Sequence, residues 1–236
     1  MYEFTSRVRY SEIQPDGTMS LGAMLTRMQD CSVFHSDSIG RGPECWLESG
    51  FGWLIISWQV KIHSRPVFGT PITTRTWSYR FRGIEGDRIF TIRDDEGRTL
   101  AEANSRWIYF NRVTQKPTRV PAVEIEGFGE EEPLADFSYS NRKIRLPEAE
   151  PVVQEAMHIQ PINIDTNGHV NNLVYIDMAV AYLPADFEVG ELRVQYLRQA
   201  MLGDVLVPKC YALGESYFVS LENGGGEICA IVEFMR

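Results

Sequence analysis

The sequence predicts an α+β fold in which one pattern, a helix followed by antiparallel strands, occurs twice. Helical spacing of apolar residues begins near Met19 and again at Val170. Each helix pattern is followed by β-branched and aromatic runs separated by turn sequences. Between the two copies lies a stretch rich in proline, glycine and glutamate.

Taken in order, Leu21, Met24, Leu25 and Met28 fall at helical spacing, and Gly40 lies beyond the expected end. "WLIISWQVKIH" reads as a strand. In "TWSYRFRG", Trp77, Tyr79 and Phe81 alternate with Ser78, Arg80 and Arg82, as a half-buried strand does. "GIEGD" and "RDDEGR" read as turns, and "RIFTI" and "TLAEANSRWIYF" as the strands they join. Residues 113–150 hold four prolines (117, 121, 133 and 147), Gly127, Gly129 and the run Glu130 to Glu132, a composition expected of a surface linker. The second helix pattern uses Val170, Leu173, Val174, Met178 and Ala181. "ELRVQYLRQAM", "DVLVPKCYAL", "SYFVSL" and "EICAIVEFM" follow as strands, with "ENGGGE" as a hairpin turn. The expected boundaries are a first module at 1–115, a linker at 116–150 and a second module at 151–236.

The two modules also align weakly. "VKIHSRPVFGTPI" from Val60 lies over "VQYLRQAMLGDVL" from Val194, matching Gly69 with Gly203. "DGTMSLGAML" from Asp16 lies over "DTNGHVNNLV" from Asp165, so Thr18 faces Asn167, Ser20 faces His169 and Gly22 faces Asn171. In that alignment Asp is shared and the other polar groups belong to the second copy alone.

The totals narrow the function. The 236 residues are 44% hydrophobic and 23% charged, which is ordinary globular composition. A net charge of −9 argues against nucleic-acid binding. The four cysteines form no CxxC pair and suggest neither a zinc site nor a disulfide framework. No metal or other cofactor is implied. The N-terminus has no apolar leader, and no apolar run approaches the roughly 20 residues of a membrane span. A cytoplasmic protein is the expectation.

The polar stretch "NIDTNGHVNN" is where chemistry is expected. If residues 164–169 are extended, Asp165, Asn167 and His169 line one face and Ile164 and Gly168 the other. A helix starting at about Val170 would aim free N–H groups back at that face, where they favour negative charge. Those are the parts of a hydrolytic site: a base to activate water, an amide to position, and N–H groups for an oxyanion. The same residues also suit a helix cap, with Asp165, Thr166 and Asn167 as N-cap types and Asn171 and Asn172 solvated. The residues alone leave both readings open.

"DTNGHVNNLVYIDM" resembles the catalytic motif of the acyl-ACP thioesterases of plants and bacteria. "WLIISWQVKIHSRPVFGTPITTRTW" and "RWIYFNRVTQKPTRVP" resemble the N-terminal half of that family, so the likeness covers nearly the whole chain. It implies a double hotdog, two tandem modules that each wrap an antiparallel sheet around a long helix. It implies hydrolysis of fatty acyl-ACP with Asp165, Asn167 and His169 as catalytic residues. Gly168, Val170, Asn171, Asn172 and Gln199 are implied as binding or supporting residues. Plant members carry a Glu-Cys pair where this chain has Gln199 and Ala200. Gln199 cannot act as a base and Ala200 cannot act as a nucleophile, so water activation falls to Asp165, to His169 or to a carboxylate elsewhere in the chain, without metal or a covalent cysteine. An acyl-CoA thioesterase of the same fold and a non-catalytic acyl-binding protein are the alternatives.

Other candidates carry less. Cys45 has no base near it in sequence, and His35, His63 and His158 read as structural. The first helix and "WLIISWQV", with Met24 and Ile56, are expected to wall the acyl chain. The expected partner is an acyl carrier protein bearing a fatty acyl chain; the basic "NRKIR" at 141–145 suits either its docking or a solvated surface strand. No nucleic acid and no membrane span are expected, and a homodimer stays open.

Overall fold

The computed structural model describes all 236 residues, which divide into two compact units: residues 1–56 with 60–139, and residues 57–59 with 140–236. In the first unit the chain opens with strand β1 (Tyr2–Arg7) and a 3-10 turn at Tyr10–Glu12. Helix α1 (Leu21–Ser38) starts at Ser20, whose hydroxyl accepts from the Ala23 N–H at 3.1 Å. A short helix α2 (Pro43–Ser49) leads into β2 (Phe51–Ile62), β3 (Pro71–Arg82), β4 (Glu85–Asp94) and β5 (Thr99–Asn111). The two-residue β6 (Lys116–Pro117) pairs with β5, and helix α3 (Ala122–Phe128) follows. The sheet order is β1-β3-β4-β5-β2, and the pairs of β3 with β1 and β4 are antiparallel. Helix α1 lies on β1, β3 and β4, burying Met24, Leu25, Met28 and Cys31 against Ile72, Ile89 and Ile92.

The strand-like alternation of β3 is real, but its helix-facing side is the small polar one. Thr74, Thr76 and Ser78 are buried under α1, while Trp77 and Tyr79 stand on the other face and are partly exposed. A bulge between Ser78 and Arg80 then shifts the register, and such an extra residue re-aims the side chains downstream of it. Phe81 therefore turns back towards Trp53 and Phe128.

Part of the segment expected as a linker packs onto the first unit. Glu124 of α3 is buried and accepts from Trp53 Nε1 at 2.9 Å. Phe128 packs edge-on to His35. Residues as far as Tyr139 belong to the first unit.

In the second unit, residues 140–146 are held to the sheet: Ile144 is buried with Tyr211, Phe218 and Ile231, and its N–H donates to Gln195 Oε1 at 2.9 Å. Short strands β7 (Val152–Val153) and β8 (Met157–His158) pair with β10. Helix α4 (Asn172–Val180) precedes β9 (Glu191–Tyr196), β10 (Val205–Leu213), β11 (Ser216–Asn223) and β12 (Ile228–Met235). These strands lie in the order β9-β12-β11-β10, all antiparallel. Helix α4 packs on β11 and β12, with Ile176 and Ala179 against a core of Leu192, Val219, Leu221 and Val232. At 9 residues it is half the length of the 18-residue α1. No helix is long and apolar enough to cross a membrane.

Candidate active site

The stretch from Pro161 does not run as a strand. Pro161–Asn163 form a single 3-10 turn, with Asn163 Oδ1 accepting from the Gln160 N–H at 2.9 Å. The chain then doubles back. Ile164 bridges Val170, the Asp165 N–H donates to the His169 carbonyl at 2.8 Å, and the Gly168 N–H donates to the Asp165 carbonyl at 3.0 Å. Gly168 has φ +80, a conformation glycine adopts without cost. The Asp165 carboxylate sits within this turn. Its Oδ1 accepts from the Asn167 N–H at 2.8 Å and the His169 N–H at 3.5 Å, and its Oδ2 from Asn167 Nδ2 at 3.3 Å. The expectation that residues 164–169 are extended is thus corrected. Asp-Thr-Asn-Gly is turn chemistry, in which an Asp side chain captures the backbone two residues on. Asp165, Asn167 and His169 are brought together by turn closure, not by strand alternation.

The turn is anchored from behind. The Val170 N–H donates to the Ala200 carbonyl at 2.9 Å, and His169 bridges Met201. The Ala200 N–H donates to Tyr175 Oη at 2.9 Å. Burial pushes the Tyr175 phenol up to about 12, so it stays protonated. Tyr196 Oη donates to the Asn172 carbonyl at 2.8 Å, and its ring meets that of Tyr175 at 5.9 Å. Tyr175 and Asn163 carry no signal of a role in the sequence. Only the fold shows that a phenol one turn into α4 reaches the segment behind the turn, at Ala200. Ala200 is fully buried, whereas Gln199 is exposed and bonds to none of Asp165, Asn167 and His169.

The helix start also differs from expectation. Helix α4 begins at Asn172, capped by Asn171 Oδ1, which accepts from the Leu173 N–H at 2.9 Å. The N–H groups of Val170 and Asn171 are spent on the carbonyls of Ala200 and Asn163, and that of Val174 on the Asn171 carbonyl. The Asn172 N–H, at the first helical position, has no intrahelical carbonyl to donate to. The half-buried His169 imidazole makes no hydrogen bond with Asp165 or Asn167. The arrangement therefore offers an imidazole beside exposed Asn167 and Gly168, a carboxylate that holds the turn, and one helix N–H.

The other candidates are structural. Burial pushes the Cys31 thiol up to about 12 and raises those of Cys210 and Cys229, so these stay protonated. Cys45 lies in α2 with Arg41 Nη1 at 3.8 Å, and no base touches it. Burial, helped by Arg88, takes the His35 imidazole down to about 3. His63 pairs with Glu102 at 3.2 Å, and His158 is exposed in β8.

The acyl-ACP thioesterase N-terminal domain matches residues 1–127, and the C-terminal domain of the same enzymes matches residues 148–216. The chain belongs to the acyl-ACP thioesterase family. Among relatives, a chloroplastic acyl-[acyl-carrier-protein] hydrolase of Cuphea viscosissima is 26% identical over 92% of this chain and 58% of its own length. A chloroplastic palmitoyl-acyl carrier protein thioesterase of Arabidopsis thaliana is 26% identical over 83% of this chain and 49% of its own length. The chain thus spans about half the length of these relatives. In fold, it superposes on the crystal structure of an acyl-ACP thioesterase from Bacteroides thetaiotaomicron with TM-score 0.89, at 21% identity, covering 99% of this chain and 96% of that one. The architecture is the double hotdog.

This acyl-ACP thioesterase family member carries the same turn in its first unit. Ile13 bridges Met19, the Gln14 N–H donates to the Thr18 carbonyl at 2.9 Å, Gly17 has φ +82, and Thr18 bridges Val67. The Ser20 N–H donates to the Glu12 carbonyl as that of Asn171 does to Asn163. Ser20 and Asn171 are the two helix caps. The alignment expected from sequence is therefore off by two residues. Thr18 stands where His169 stands, Asp16 opposite Asn167, and Gln14 opposite Asp165. The later pairing of Gly69 with Gly203 holds, since Val67 and Met201 take the same place in the two turns. Shared Asp residues mislead the register because each caps its own turn from a different position: Asp16 Oδ1 accepts from the Thr18 N–H at 2.8 Å.

Proposed function

We propose that the chain is a cytoplasmic thioesterase that hydrolyses fatty acyl-ACP to a free fatty acid and the carrier thiol. The observation that carries this reading is His169, whose backbone is fixed by a closed turn and whose imidazole is uncommitted to any group within it, in a chain of this family. In the proposed reaction His169 takes a proton from water, and the hydroxide adds to the thioester carbonyl carbon. The Asn172 N–H donates to the resulting oxyanion, with Asn167 positioning the water. The C–S bond then breaks, and the proton held by His169 passes to the departing sulfur. Asp165 keeps the turn in shape, because its carboxylate is already engaged by Asn167 and by the His169 N–H. Gly168, Val170 and Asn171 support the turn, and Gln199 stays outside the chemistry. A positioned base contributes roughly 10²–10⁴-fold, and one oxyanion donor about 2.7–4 kcal/mol, which suits an activated thioester.

Lys143 and Arg145 are exposed on either side of buried Ile144, and they offer positive charge to an acidic carrier. The exposed Gln199 and buried Ala200 favour one second reading, an acyl-binding protein without turnover. The deciding experiment measures fatty-acid release from a series of acyl-ACP and acyl-CoA donors by wild type and His169→Ala. Release by wild type that falls by about 10²-fold or more in the variant is expected. No release by wild type, or equal release by both proteins, refutes the proposal. Folding should survive this substitution, because the bridges at position 169 are made by the backbone.

A further inference from the structure

The face of β3 and β4 that carries Trp77 and Tyr79 also carries a row of polar side chains. Arg75 stands directly opposite Thr91 across the two strands. Arg93, opposite Thr73, lies one station to one side, and Trp77 one station to the other. Arg75, Thr91, Arg93, Trp77 and Tyr79 floor a cavity of about 750 Å³ within the first unit, with Glu130 to Pro133 as its rim. The rim is pinned to β3. Glu130 Oε1 accepts from the Phe81 N–H at 2.7 Å, the Glu131 N–H donates to the Ser78 carbonyl at 3.0 Å, and Trp77 Nε1 donates to the Glu132 carbonyl at 2.9 Å.

Two groups of the floor lack the partners that burial calls for. Thr91 is 1% exposed and its hydroxyl has no hydrogen-bond partner, and Arg93 Nε is likewise buried and unpartnered. Buried polar atoms are nearly always hydrogen-bonded, so such a pair marks a place for a partner from outside. Arg75 Nε lies 2.5 Å from Glu3 Oε2, an ion pair without hydrogen-bond alignment. A hydroxyl beside two guanidiniums suits a phosphate, because each guanidinium presents a fork of N–H donors to its oxygens. The cavity is much larger than a phosphate and falls within the roughly 300–1,000 Å³ of small-molecule sites. One station along a strand is two residues, about 7 Å, so the Trp77 ring stands about a ribose length from the place for the anion. The rim carboxylates would repel a second anion, but they accept from hydroxyl and amino groups.

We propose that this cavity binds a nucleoside 5′-monophosphate. The phosphate lies on Arg93, Arg75 and Thr91, the base against Trp77, and the ribose hydroxyls towards the glutamate rim. Reaching the buried Thr91 hydroxyl requires the arginine side chains to turn onto the phosphate. The site makes no use of the turn at Asp165 to His169, and its test involves no turnover, so it stands or falls apart from the hydrolytic reading.

The experiment titrates the full chain with AMP, adenosine and inorganic phosphate, by calorimetry and by tryptophan fluorescence. It is repeated with Arg93→Gln, Thr91→Val and Trp77→Leu, whose folding is checked by circular dichroism. Wild type should bind AMP at least ten-fold more tightly than adenosine or phosphate. Arg93→Gln should weaken AMP binding at least ten-fold and Thr91→Val several-fold. Trp77→Leu should abolish the fluorescence change and weaken AMP about ten-fold, while leaving phosphate binding within two-fold. No binding of AMP by wild type, or adenosine or phosphate bound as tightly as AMP, overturns the proposal even if a variant fails to fold. Undiminished AMP binding by a folded Arg93→Gln does so as well.

Discussion

Replacing Asp165 separates two roles that a carboxylate in this place could have. In the structure Oδ1 holds the Asn167 N–H at 2.8 Å and Oδ2 meets Asn167 Nδ2 at 3.3 Å. The bond from the His169 N–H, at 3.5 Å, is long and contributes little. Asp165→Asn keeps an Oδ1 acceptor for the Asn167 N–H but sets an amide nitrogen against Asn167 Nδ2. Asp165→Ala removes both contacts. A hydrogen bond to a charged group contributes about 1.5–3 kcal/mol, and Asn167 is exposed, which places this turn at the low end. Loosening the turn should then cost about 1 kcal/mol for Asn and about 2 kcal/mol for Ala. At 1.36 kcal/mol per factor of ten, these correspond to losses of about 5-fold and about 30-fold in kcat/KM. If Asp165 were the base, both variants would lose roughly 10²–10⁴-fold alike. The assay is steady-state release of dodecanoate from dodecanoyl-ACP, with the unfolding midpoint measured in parallel. An Asp165→Asn enzyme as inactive as Asp165→Ala would refute the turn-holding role and return the base to Asp165.

Further outcomes are expected elsewhere in the molecule. The His35 imidazole, near 6.5 when unfolded, is taken down to about 3 by burial in the fold. The unfolded chain therefore binds the proton first, and stability present above about pH 6.5 is lost as pH falls, by about 2 kcal/mol down to pH 5. Urea unfolding at pH 7 and pH 5 should show this slope in wild type and lose it in His35→Gln; an equal slope in both proteins would assign it to other groups. Tyr175→Phe strands the buried Ala200 N–H, so unfolding free energy should fall by about 1–3 kcal/mol, whereas an unchanged urea midpoint would show that the bond contributes nothing. Joint reversal of Lys143 and Arg145 to glutamate should raise KM for acyl-ACP in a salt-dependent way and leave KM for acyl-CoA within two-fold. Parallel shifts for both donors would move carrier docking to another surface.

The regular parts of the fold are legible in the sequence because long periodic segments declare themselves. Helix α1 has four fully buried core side chains at helical spacing, and the strands carry alternating runs with turn sequences at Gly83 and Asp95. The short helices are not legible. Pro43 is the first residue of α2 and Pro121 the N-cap of α3. Proline there reads as punctuation, although it suits a helix start as well as it suits a linker. At the candidate site, the residue types single out residues 163–172 but imply a geometry that the chain does not adopt. A period of two aligns Asp165, Asn167 and His169 on paper, and the same spacing lets Asp165 capture the Asn167 N–H, so Asx-turn chemistry prevails over alternation. The spending of the Val170, Asn171 and Leu173 N–H groups depends on carbonyls and a cap that only the folded chain brings near. The surroundings of buried Arg88 are equally hidden, because His35, Thr76 and Phe128 reach it from three other elements.

The duplicated turn gives the molecule an internal control. The bridges and N–H donations that close it recur at Gln14 to Ser20 and at Asp165 to Asn171, and nearly all of them are made by main-chain atoms. Its shape therefore does not depend on which side chains ride on it, beyond a glycine and a capping residue. Threonine and histidine can occupy the same station, at Thr18 and His169, without a change of frame. Substitution can alter the chemistry of either copy while selection for folding stays almost blind to the exchange. Placing histidine at position 18 and threonine at position 169 would move the imidazole from one frame to the other within a single chain.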